Sequence, residues 1–91
     1  MIYSDESPSD EIISDTGEIV FLSFEGGFYG IISIDGEHYD PLNLPDEFKI
    51  DGLRISFRAK IRRDLGSFHM WGTIIELFSI ERIEFFLIYN L

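Results

Sequence analysis

The chain has no cysteine and little positive charge, with 7 Lys and Arg against 17 Asp and Glu in 91 residues, a net charge of −10. Without cysteine there is no disulfide, no thiolate nucleophile and no thiolate metal site, which fits a reducing compartment. The deficit of basic groups opposes long-range attraction to polyanions such as nucleic acid. No apolar run approaches the roughly 20 residues that a helix needs to cross a bilayer. The opening Met1-Ile2-Tyr3-Ser4-Asp5-Glu6 lacks a basic n-region and an apolar h-region, so no signal peptide is expected and the cytoplasm is the default compartment. No glycine-rich loop follows a strand and opens a helix, which removes the usual nucleotide cradles. Sustained helical periodicity is missing as well.

Strand patterns fill the chain instead. Nine Phe, four Tyr and one Trp give a short chain large buried area per residue, enough for one domain and no second core. Residues 53–62, Leu-Arg-Ile-Ser-Phe-Arg-Ala-Lys-Ile-Arg, alternate apolar and polar without a break. Leu53, Ile55, Phe57, Ala59 and Ile61 form one face; Arg54, Arg58, Lys60 and Arg62 form the other, four of the seven basic residues. That is a strand with one side in a core and the other in water.

The remaining elements follow from turn signals. Gly26-Gly27 separates Glu18 to Glu25 from Phe28 to Ile34, and Asp35-Gly36 leads into a short strand, Glu37 to Asp40. Pro41 and Pro45 cannot donate ladder hydrogen bonds, and they leave no room for a long helix there. Pro45 at a first helical position, with Asp46 and Glu47 behind it, predicts a single helical turn, seated by Leu42, Leu44 and Phe48. Residues 70–84 break their alternation between Leu77 and Ile80, and a β-bulge near Phe78-Ser79 restores it. The expected fold is all-β: a small five- to six-stranded OB-like barrel with one short helical turn between the third and fourth strands. An SH3-like barrel or open sandwich is the second choice.

Residues 1–16 carry five acids, no base and several serines, a composition that buries little, and are expected to form an acidic flexible N-terminal arm to a single barrel domain over 17–91. At the other end, Phe85-Phe86-Leu87-Ile88-Tyr89-Asn90-Leu91 is apolar enough to demand cover. It is expected to pack on its own barrel as a final strand or plug, or else to pair with a second copy through Phe85, Phe86, Leu87, Ile88 and Tyr89.

The block Gly27-Phe28-Tyr29-Gly30-Ile31, Gly36, Tyr39-Asp40-Pro41-Leu42-Asn43-Leu44-Pro45, Phe48, Asp51-Gly52-Leu53-Arg54-Ile55, Phe57 and His69-Met70-Trp71-Gly72 resembles a family of small prokaryotic OB-like β-barrel domains with no assigned biochemical function. The resemblance covers residues 26–83 and implies a fold without a chemistry. Members of that family also occur in exported or lipid-anchored proteins.

Catalytic patterns are weak. His38 and His69 are the candidate bases, and no nucleophile-elbow motif accompanies Ser33, Ser56, Ser67 or Ser79. His38 and His69 with Glu37 and Asp40 lack metal-ligand spacing. Chance proximity is expected among Asp46, Glu47, Asp51 and Glu76. No enzyme, metal or cofactor is therefore expected. The main expectation is a non-enzymatic binding or protein-interaction module, with an unknown protein partner or a homodimer through the last strand. The alternative is a binder of single-stranded nucleic acid or a small anion, using Arg54, Arg58, Lys60 and Arg62 for phosphates and Tyr29, Tyr39 or Trp71 for stacking. Against that alternative, Glu76 and Glu81, or Glu18 and Glu25, can neutralise the stripe as cross-strand pairs. Trp71, beside Gly72, is expected chiefly as a core aromatic. No membrane partner is expected.

Overall fold

The computed structural model describes residues 11–66 and 69–83. Among them are five strands, β1 (Ile12–Leu22), β2 (Phe28–Ser33), β3 (His38–Pro41), β4 (Arg54–Ile61) and β5 (Thr73–Arg82), and a 3₁₀ turn at Asp46–Phe48. They close into a barrel in the order β1-β2-β3-β5-β4, with β4 returning to β1. All pairs are antiparallel except β3 with β5. This is the OB-like barrel that the turn signals and alternation predict.

β1 closes the barrel by pairing with two neighbours. Its first half lies against β4, from Ile12 opposite Lys60 to Glu18 opposite Arg54. Its second half lies against β2, from Gly17 opposite Ser33 to Leu22 opposite Phe28. Residues 12–16, expected as part of the acidic arm, are therefore strand. Ser14 and Thr16 lie on the solvated outer face and Asp15 on the inner side opposite Phe57, and backbone pairing with Arg58, Phe57 and Ser56 holds all three in the sheet despite their polar side chains. Residues 1–10 and the expected final strand or plug at 85–91 lie outside the described residues.

β4 alternates as its sequence dictates, with Ile55, Phe57, Ala59 and Ile61 buried. They meet Ile19 from β1, Ile31 from β2 and Ile75 and Leu77 from β5. Leu44 joins this core and Phe48 packs against it, whereas Leu42, expected beside them, is exposed. Pro45 occupies the N-cap position in an extended conformation, so the 3₁₀ turn begins at Asp46, one residue after the predicted start. The expected bulge is present: Arg58 faces Ser79 while Ala59 faces Leu77, so Phe78 is the extra residue and turns outward. Ile80 thereby returns to the core side.

Candidate interaction surface on the β2–β3 face

The inward and outward positions of β2 decide what each aromatic does. Tyr29 and Ile31 face the core, and Tyr29 packs on Phe21 with ring centroids 5.1 Å apart. Tyr39 on β3 also points inward, edge-on to Phe57 at 5.9 Å. Burial, with Glu37 and Asp15 nearby, raises its phenol above the ordinary value. Both tyrosines were expected as stacking residues beside the basic stripe. They are instead wall and core residues, because strand alternation places them on the opposite side of the sheet from it.

The outward positions of β2 and β3 assemble a second aromatic cluster. Phe24, in the β1–β2 turn, meets Phe28 edge to face at 5.3 Å. Phe28 stacks flat on His69 at 3.6 Å and meets Trp71 edge-on at 6.0 Å. Trp71 in turn stacks on His38 at 4.4 Å. Trp71 is therefore not a core residue: it reaches from the β4–β5 connection onto the outer wall of β2. Gly30 makes the room, since a Cβ there would lie 2.6 Å from Trp71 Cη2. Gly72 gives the matching close approach, and a Cβ there would lie 2.7 Å from the His38 carbonyl oxygen.

One polar contact locks the cluster. His69 Nδ1 is 2.5 Å from Asp40 Oδ2, and Asp40 is buried on β3. A carboxylate in apolar surroundings requires such a partner. With its ring flat on Phe28, His69 acts as a strut that ties the β4–β5 connection to β3. Beside it is a groove of about 320 Å³ whose lining includes Phe28, Tyr29, Asp40, Leu42, Lys49 and His69, so the predicted Tyr29 borders this groove as well as packing on Phe21. Lys49 is paired to Asp46 at 2.9 Å. Around the aromatics, Met70 is 86% exposed, Leu42 52% and Phe24 46%. Among the described residues no three His, Asp or Glu side chains come together in a group able to hold a metal ion.

The basic stripe has a different environment. Arg62 is clamped by Asp64 at 2.8 Å and Glu76 at 2.9 Å. Its hydrogen bond holds the Asp64 carboxyl down to about 2 and raises the guanidinium above its ordinary value. Arg54 approaches Glu18 at 3.8 Å. Lys60 lies in register with Glu76 and also makes an interaction of its own. Arg58 is flanked by Ser14 and Ser79 and lies 5.7 Å from the centre of the Phe78 ring. Glu18 and Glu76 are thus the carboxylates that oppose the stripe, while Glu81 faces Ser56 and Glu25 lies in the β1–β2 turn.

Sequence reasoning passed over Phe24, Phe28 and Gly30. The available signal was the outward alternation of Phe28, Gly30 and Ile32 on a strand whose inward set was already complete. Compared with family models, with curated proteins and with solved structures, the chain finds no match in any of the three. Among the described residues no helix is long and apolar enough to cross a membrane.

Proposed function

We propose that this chain is a non-enzymatic protein-interaction module that takes an apolar peptide segment of neutral or positive charge on the outer face of β2 and β3. The observation that carries the reading is the Phe24–Phe28–His69–Trp71–His38 cluster with exposed Met70 at its margin. In OB barrels this same face, framed by the β1–β2 and β4–β5 connections, takes the ligand. Two features favour a polypeptide over bases or sugars. The rings stack on one another, so Phe28, His38, His69 and Trp71 each give a flat face to a neighbour within the protein. What protrudes is Met, Leu and ring edges, the composition of protein interfaces and of adaptable binding surfaces.

Charge supports the same choice. Glu25 lies in the β1–β2 turn and Asp35 in the β2–β3 turn, which bound this face, and Lys49 in the adjoining groove is paired with Asp46. A polyanion is repelled there, and at the basic stripe it competes with Glu18, Glu76 and Asp64 for the arginines. Membership in the prokaryotic family of small OB-like barrels, which the block from Gly27 to Gly72 resembles, belongs to this reading and is supported by the strand order.

The test is selection of binders from a random peptide library on the full chain, followed by titration against three proteins. Selected peptides are expected to bind the unaltered chain and Arg58→Glu equally and to lose at least tenfold in affinity on Phe24→Asp/Met70→Asp. Equal binding to that double variant, or salt-sensitive binding of a single-stranded oligo(dT) that Arg58→Glu abolishes, would overturn the proposal.

A further inference from the structure

The groove beside the His69 strut has a polar feature that the aromatic cluster leaves unused. Asp40 is 7% exposed, and its carboxylate commits one oxygen to the protein, Oδ2, which accepts from the His69 Nδ1–H. The other, Oδ1, accepts from no described residue. No buried side-chain oxygen among the described residues lacks a partner, so Oδ1 keeps its access to water through the groove that Asp40 lines. A carboxylate oxygen thus borders a space of about 320 Å³ whose walls include Phe28, Tyr29, Pro41, Leu42 and Leu44.

The occupant follows from what each class of group would do to Asp40. An uncharged apolar group would strip Oδ1 of water and return no hydrogen bond, which is costly for a carboxylate. An anion would be repelled by Asp40, while Lys49 in the groove wall is already held by Asp46 at 2.9 Å. A cation would give Oδ1 a charge-assisted hydrogen bond. Because His69 holds Oδ2, a bidentate guanidinium would have to compete with the imidazole, whereas a compact ammonium needs only the one oxygen. Lysine carries such a head on an apolar stem that can lie along the groove walls.

We propose that this groove is the anchor subsite of the β2–β3 face and takes the side chain of one lysine of the bound peptide, its ammonium donating to Asp40 Oδ1. The inference rests on the peptide reading of that face and names the residue type it selects. Lys49, of like charge, is drawn aside by Asp46 and sets the upper limit on affinity.

The experiment is an NMR titration of the full chain with Nα-acetyl-lysine methylamide, and with its norleucine and glutamate counterparts, read at the Asp40 carboxyl carbon and at Phe28, Tyr29 and Leu42. The lysine compound is expected to give saturable shifts and to bind about tenfold more tightly than norleucine, which has the stem without the charge; the glutamate compound is expected to leave these signals unmoved. Asp40→Asn is expected to erase the preference for lysine over norleucine, and Lys49→Met, which keeps Asp40 and removes the like charge, to tighten lysine binding. Absence of a saturable lysine response, equal binding of norleucine, shifts from the glutamate compound, a preference that survives Asp40→Asn, or weaker lysine binding by Lys49→Met would each overturn the proposal. Peptide binding that depends on Phe24 and Met70 is read separately, so a failure of the subsite and a failure of the face give different results.

Discussion

The β4 stripe and the β2–β3 face are built in opposite ways. The stripe comes from one strand, so spacing alone reveals it, and the same barrel closure that aligns its cations brings Glu18 and Glu76 alongside. The aromatic face draws Phe24 from a turn, Phe28 and Gly30 from β2, His38 and Asp40 from β3, and His69 and Trp71 from the β4–β5 connection. A pattern visible in one strand is as readily answered by neighbouring strands as by a partner. A surface gathered from four segments owes its form to the fold as a whole.

Substitutions separate the two. The largest effect is expected beneath both: Ile55→Ala empties a fully buried site under the stripe and opposite the β1 core, costing about 2–5 kcal/mol in urea unfolding. Gly30→Ala should act on the aromatic face alone. Its methyl collides with Trp71, and the expected loss is about 1–3 kcal/mol with a red shift of the single tryptophan's emission. His69→Ala leaves the buried Asp40 carboxylate without its imidazole partner, for about 1–3 kcal/mol, and should restore stability partly on Asp40→Asn in the same chain. Arg58→Glu, on the stripe, is expected to change stability by no more than about 0.5 kcal/mol.

The smallest effect concerns pH. The folded-state value of Asp64 is depressed to about 2 by Arg62, so its contribution is complete above the ordinary carboxylate value and is lost as pH falls through about 2. An NMR titration of the Asp64 carboxyl carbon should give that midpoint. Arg62→Ala should return it toward the ordinary value.

The barrel was largely legible because its cues are local. Alternation in Leu53 to Arg62, paired glycines at Gly26-Gly27, and the break in phase at Phe78 each report on a few adjacent residues, and the structure has the strand, the hairpin and the bulge there. Ser14, Asp15 and Thr16 were misread because composition reports burial, and these residues are held by backbone pairing. The aromatic face escaped for a related reason. Nothing near Trp71 in the sequence says that Gly30 leaves a ring-sized space on another strand, and Gly72, read as a sign of core packing, marks a close approach to His38 on the outer wall.

The most direct measurement is amide and aromatic chemical-shift mapping of the full chain as a library-selected peptide is added. The largest changes are expected at Phe24, Phe28, His38, His69, Met70 and Trp71, with Arg54, Arg58, Lys60 and Arg62 nearly unmoved. Changes concentrated on the β4 stripe, with the aromatic face unmoved, would contradict the assignment.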